Sequence, residues 1–239
     1  METIETPERV MLVIPHPDDG ESGCAGTVAK WTKQGTKVLY VVTTNGDKGS
    51  SDPEMTSAHL AEIREGEQRK AAETLGVEEV VFLGYGDGEL EDTREFRGKI
   101  VEQIRRFRPD VLMAMDPARR LSHSHRDHRI SGQVALDACF PFARDILHYP
   151  DHISAGLETH KVRTVLLWGT EAADVVVDIT DTLSDKMNAL AAHESQLSTD
   201  WSRIEGFAKR RAVDHAAEAA DHGIKVEYAE LFRRINFRG

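Results

Sequence analysis

VMLVIPHPDDGESGCAG, residues 10–26, is the stretch whose reading decides the fold. Its first five residues, Val10 through Ile14, form an unbroken apolar run, as in a strand buried on both faces of a parallel sheet. The run stops at Pro15-His16-Pro17-Asp18-Asp19. Pro17 disfavours helical φ/ψ at His16, so the chain stays extended there before it turns. One imidazole and two carboxylates therefore stand on a stiff corner at a strand's carboxyl end, where open α/β sheets build their sites.

Outward from this corner, apolar and β-branched runs at 37–44, 79–83 and 111–115 read as strands. Helical spacing of apolar residues falls between them at 27–34, 58–75 and 94–107. This alternation implies βαβ units and a mainly parallel sheet. Right-handed crossovers then bring the loops beginning at Pro15, Asn45, Gly84 and Asp116 to one edge of that sheet. The expected fold is a Rossmann-like three-layer α/β/α with its site at the carboxyl ends of the strands. Beyond it, a helix is expected at 130–140, an irregular segment at 141–160, strands at 162–168 and 175–179, and helices at 182–193 and 201–220. The more apolar tail at 228–237 is expected to pack on the domain. No repeat or linker interrupts the pattern, so one domain over 1–239 is expected.

Composition excludes several classes. The formal net charge of −11 disfavours a duplex or an anionic membrane surface as partner. Cys24 and Cys139 are the only cysteines, which fits a reducing compartment and no disulfide framework. The N-terminal residues lack the basic and apolar regions of a signal peptide, and no apolar run reaches the ~20 residues of a membrane span. The expectation is a cytoplasmic protein acting on a small molecule, without nucleic-acid or membrane partners.

A second polar motif, DPARRLSHSHRDH at 116–128, follows the fourth strand and carries His123, His125, Asp127 and His128. Taken alone, His-Pro-Asp-Asp reads as turn and helix-cap chemistry. The second motif alone reads as a charged loop. Brought to one sheet edge, they offer three nitrogen or oxygen ligands and an open fourth position, as in catalytic zinc sites. Two other readings compete. His123-Ser124-His125-Arg126-Asp127-His128 also matches the dinuclear His-x-His-x-Asp-His motif of the metallo-β-lactamase superfamily, which calls for an antiparallel β-rich context and leaves residues 15–19 without a task. A non-catalytic carbohydrate-binding α/β domain would have no use for Asp18, a carboxylate beside a metal ligand.

The combination of Pro15 through Asp19 with Glu21, Gly23, Gly26 and His125-x-Asp127-His128 resembles the PIG-L/LmbE-like family of zinc-dependent N-acetylglucosaminyl deacetylases. Arg64, Glu67, Leu75-Gly76, Asp87 and Ala192-His193-Glu194-Ser195-Gln196 extend the likeness over most of the chain. The resemblance implies one zinc per chain, held by His16, Asp19 and His128. It implies Asp18 as general base, and His125 as acid or stabiliser of the tetrahedral intermediate with Asp127 fixing its tautomer. The reaction implied is hydrolysis of an acetamide on an amino sugar; amides of thiol glycosides are the alternative within the family. Arg64, Asp87, His123 and Arg126 are candidate substrate contacts. Arg126 stands where the family often has proline, and His123 is an additional imidazole. Relatives range from monomers to hexamers, so a homo-oligomer is compatible.

Overall fold

The structure, a computed structural model, describes residues 1–119, 125–197 and 200–237. The elements follow in the order β1 (Glu2–Thr3), β2 (Arg9–Ile14), α1 (Asp19–Lys33), β3 (Lys37–Thr44), α2 (Ser57–Thr74), β4 (Glu79–Tyr85), α3 (Arg94–Phe107) and β5 (Val111–Met115). They continue with α4 (Arg126–Cys139), α5 (Pro150–Ser154), β6 (Thr164–Trp168), β7 (Val175–Asp178), α6 (Leu183–Ala191), α7 (Glu194–Leu197), α8 (Trp201–Asp221) and β8 (Ala229–Asn236). Among the described residues, none of the helices is long and apolar enough to cross a membrane.

Eight strands form one sheet in the order β1-β7-β8-β6-β5-β2-β3-β4. All neighbours are parallel except β8, which runs antiparallel to both β6 and β7. The strand alternation sorts the core into two layers. Val10, Leu12, Ile14, Val38, Tyr40 and Val42 face α1, α2 and α6, whereas Met11, Val13, Leu39 and Val41 face α3 and α4. Both faces of β2 and β3 are covered, which is why their sequences are apolar without interruption. The expected three-layer α/β fold is thus the observed one.

The chain leaves β2 toward β3 and β4 on one side, then returns to place β5 on β2's other side. The carboxyl ends of β2 and β5 therefore border a topological switch point, the crevice where such sheets bind ligands. Each of the two polar motifs begins where one of those strands ends.

Three sequence expectations are corrected. α1 begins at Asp19 rather than near Thr27, so the glycines of the opening stretch lie inside a helix. They are there for close packing: a Cβ on Gly23 would sit 2.4 Å from the Trp168 ring. α4 begins at Arg126 rather than near Ile130, which puts the second motif on a helix's first turn. The tail expected to pack on the domain is instead β8, inserted within the sheet.

A buried ion pair holds β8 in that place. The Glu230 carboxylate accepts from Gly26 N (3.1 Å), Thr27 N (2.8 Å) and Lys186 Nζ (2.6 Å), while Lys186 also donates to Ser22 O at 2.9 Å. It joins the sheet to α1 and α6. Removing one partner of such a pair strands the other charge. Lys186→Met is expected to lower unfolding stability by about 3 kcal/mol, read as a shift of the denaturant midpoint; a loss under about 1 kcal/mol would show the pair to be dispensable.

Candidate active site

The corner after β2 is fixed by its own backbone. Pro15 O accepts from Thr44 N (3.0 Å), Thr44 Oγ1 (2.8 Å) and Thr43 Oγ1 (3.1 Å), which ties it to the end of β3. The chain bends at Pro15 and His16, and Asp18 turns it with φ +94°. That left-handed turn sends the two adjacent carboxylates apart. Asp19 Oδ2 folds back to accept from His16 N at 3.0 Å. Asp18 lies against α2, its N–H donating to Gln68 Oε1 at 3.3 Å.

From the far side of the crevice, α4 delivers its first turn. Gly132 allows the approach, since a Cβ there would fall 2.2 Å from Met115 O. His125 is the helix N-cap, and its Nδ1 accepts from Asp127 N at 3.2 Å. That bond leaves the ring proton on Nε2.

His128 Nε2 then reaches the first motif. It lies 3.2 Å from His16 Nδ1 and 3.1 Å from Asp19 Oδ2, and these last two atoms are 3.1 Å apart. Three donors in a near-equilateral triangle match one face of a tetrahedron: ligands bound at ~2.0–2.1 Å stand about 3.3 Å from one another. The set is two imidazoles and a carboxylate, with the fourth direction free. It fits a divalent metal.

The other nitrogen of His16 is equally committed. Nε2 lies 3.1 Å from Asp127 Oδ2 and 3.1 Å from Asp87 Oδ1. Asp127 is fully buried and accepts from Gly88 N (2.7 Å) and Leu90 N (3.2 Å). A carboxylate on the far nitrogen of a metal-binding histidine fixes its tautomer and orientation. His16, Asp87, His125 and Asp127 also bring donor atoms within 4.8 Å of one another. The triangle around His16 Nδ1 is the better metal face, because His125 Nε2 and Asp87 Oδ1 are 3.9 Å apart and Asp127 is already engaged by backbone donors.

Electrostatics follow from this crowding. Burial opposes charge on His16, but Asp127, Asp19 and Asp87 outweigh it and push its pKa up to about 12. Burial likewise opposes the charge of Asp19, yet His128 and His16 hold its carboxyl well below the usual range. Asp18 goes the other way: burial, then the charge of Asp19, pushes it up to about 8. Burial, then the charge of His16, lowers the pKa of His125.

The structure thus brings together His16, Asp18, Asp19, Asp87, His125, Asp127 and His128 from the sequence-derived candidates. Asp127 orients a different ring from the one expected: it contacts His16, while its Oδ2 stands 3.9 Å from His125 Nδ1. Arg64 is buried, and its Nη1 donates to Gly46 O and Lys48 O, bracing the loop after β3. Arg126 is 51% exposed, with Nε donating to Leu90 O at 3.1 Å. His123 lies outside the described residues. Gln68 was not singled out by its sequence. Its Nε2 donates to the buried Glu21 at 2.9 Å while its Oε1 holds Asp18, and His193 Nε2 stands 3.3 Å from Glu21. Its position four residues after Arg64 on one helix face was the available signal.

Comparison with known proteins agrees with this fold. Residues 11–139 match PIG-L, described as GlcNAc-PI de-N-acetylase. The chain belongs to the PIG-L family. Diacetylchitobiose deacetylase of Thermococcus kodakarensis is 35% identical over 207 residues, covering 86% of this chain and 77% of that protein. A probable N-acetyl-alpha-D-glucosaminyl L-malate deacetylase 2 of Bacillus anthracis is 25% identical over 217 residues, with coverage of 89% and 90%. The structure of N,N'-diacetylchitobiose deacetylase from Pyrococcus horikoshii superposes with a TM-score of 0.89 at 31% identity, covering 96% of this chain and 84% of that one. As a PIG-L member the chain has its second motif after β5, which is parallel to both neighbours, rather than after the antiparallel stretch that the dinuclear reading requires.

Two outcomes follow from the site. A proton must leave His16 Nδ1 before a metal can take that lone pair, so metal affinity should rise with pH, about tenfold per unit near neutrality. Calorimetry in buffers of different ionisation enthalpy should find about one proton released per ion, and a pH-independent affinity would contradict the high pKa of His16. Asp127→Asn, which removes the charge from the carboxylate that orients His16, should weaken metal binding about 10- to 100-fold in chelator competition.

Proposed function

We propose that this PIG-L protein is a zinc-dependent amidase that removes the acetyl group from an N-acetylglucosamine-type substrate. The observation that carries the reading is the division of labour at the corner: His16, Asp19 and His128 converge on one point, while Asp18 stands beside that point without joining it. Zinc fits the donor set of two imidazoles and one carboxylate with an open fourth direction. When bound there, it supplies Lewis acidity toward an amide carbonyl and lowers the pKa of a water molecule to about 7.

The chain's own groups carry the proton traffic. Asp18 takes a proton from the attacking water and returns it to the departing amine. Its raised pKa suits both tasks near neutrality. His125 is kept neutral by burial and by the charge of His16, and its Nε2–H faces the crevice, 44% exposed. It donates to the oxygen on which negative charge develops. Asp87, on the loop after β4 and anchored through its N–H to Asp47 Oδ1 at 2.9 Å, borders the same opening and accepts from a sugar hydroxyl. The similarity to two diacetylchitobiose deacetylases supports an N-acetylated amino sugar as the substrate class.

Asp18→Asn is the direct test. Zinc content by elemental analysis should stay near that of the unaltered protein, while amine release from N-acetylated chito-oligosaccharides should fall about 10²- to 10⁴-fold. Undiminished amine release by that variant would remove Asp18 from the mechanism. Absence of chelator-sensitive amine release from the unaltered protein would overturn the amidase reading itself.

A further inference from the structure

The motif Ala192-His193-Glu194-Ser195-Gln196 supplies no donor to the metal triangle, yet it packs against the corner after β2. Gln196, on α7, donates from Nε2 to Pro17 O at 3.1 Å. Gln68, on α2, accepts from Asp18 N at 3.3 Å. Pro17 O and Asp18 N belong to the same peptide unit. In a planar trans peptide the C=O and the N–H point in opposite directions. Two glutamines from different helices therefore grip one peptide plane from its two sides.

What this grip resists is specific. Turning a peptide plane changes ψ of the residue before it and φ of the residue after it, in opposite senses. For this plane the second angle is φ of Asp18, held at +94°. Rotation of the plane is the shortest way for Asp18 to leave the left-handed region, and it breaks both glutamine bonds. A positive φ on an aspartate persists only where the surroundings enforce it.

Both glutamines are themselves immobilised. Gln68 is fully buried and fits only one way round, because its Nε2 donates to Glu21 Oε1 at 2.9 Å and so turns its oxygen to Asp18 N. The other oxygen of Glu21 stands 3.3 Å from Nε2 of His193, which is also fully buried. Glu67, the residue before Gln68, accepts from Ser195 N at 2.6 Å and from Ser195 Oγ at 2.7 Å. The contacts close a ring. Glu67 ties α7 to α2, and the two helices hold the Pro17–Asp18 peptide between Gln196 and Gln68.

We propose that Gln196 is a positioning residue for the general base: with Gln68 it clamps the Pro17–Asp18 peptide plane, and that plane sets where the Asp18 carboxylate stands relative to the metal-binding face. The inference rests on the amidase reading and adds to it the element that aims the base. His16 is held separately, by Asp87 and Asp127, and Asp19 by His16 N and His128. Release of the plane thus displaces the base and spares the ligands.

Gln196→Met keeps the length of the side chain and removes the donor. In the zinc-loaded protein it should lower kcat for amine release from N-acetylated chito-oligosaccharides about 10- to 100-fold, with KM within about twofold, since a displacement of about 1 Å suffices for such a loss. Zinc content should not change. Joined to Asp18→Asn, the same substitution should lower the residual rate no further, because its effect passes through Asp18. A residue that only supports the fold would slow both backgrounds alike. Glu67→Ala, at the outer side of the ring, should lower kcat in the same sense, and it carries the test should Gln196→Met not fold. Exchange of the Asp18 amide proton, followed by NMR, should accelerate about tenfold or more in Gln196→Met while the amides of β2 keep their protection. Unchanged kcat, an equal further loss in the Asp18→Asn background, or unchanged exchange at Asp18 would each overturn the proposal and leave the amidase reading standing. Absence of amine release from the unaltered protein would end both.

Discussion

Every feature of the site depends on the imidazole of His16 having both nitrogens occupied. Nδ1 faces Asp19 and His128; Nε2 faces Asp127 and Asp87, all near 3.1 Å. The ring cannot tilt toward one set without leaving the other, so its plane is fixed. A proton on Nδ1 serves the same partners that a metal would. Burial opposes a charge on the ring, and Asp127, Asp19 and Asp87 outweigh it. Contacts on both nitrogens of one ring hold the candidate ligands in register with their supporting carboxylates.

His16 is fixed because two parts of the chain distant in sequence are forced together. The β2 corner is anchored by the threonines at the end of β3, and α4 is drawn onto β5 at Gly132. Both are consequences of the strand order, which sets β2 between β3 and β5. A site made of two short motifs needs that adjacency and little else from the sheet.

Much of this was legible in the sequence because it is local. The apolar runs of β2, β3 and β5 identify strands buried on both faces, and two of the candidate metal ligands, His16 and Asp19, follow closely on the first of them. What was not legible depends on long-range register or on buried polar chemistry. β8 reads as an apolar tail, and nothing in residues 228–237 says that it enters between β6 and β7 in the opposite direction; Glu230, buried on Lys186, supplies that information only once the chain has folded. Asp127 is two residues from His125, which suggested that it served that ring. The first turn of α4 separates the two side chains and sends the carboxylate to a ring 111 positions away. Gln68 reads as a polar helix residue, and only its burial against Glu21 reveals that it holds Asp18.

The left-handed turn at Asp18 explains how adjacent aspartates can have opposite acidities. A non-glycine residue at φ +94° is strained by about 1–3 kcal/mol, and such strain persists only where the surroundings enforce it. Here Asp19 binds back onto His16 N, and Gln68 holds Asp18 N, so both sides of the turn are pinned. Without the turn, the two side chains would compete for the same cations. With it, Asp19 receives both histidines and stays ionised, while Asp18 is left in a drier position where the charge of Asp19 raises its pKa. One backbone angle thus gives two identical residues opposite acidities. The strain is the structural cause of that separation, and it belongs to the fold rather than to the metal.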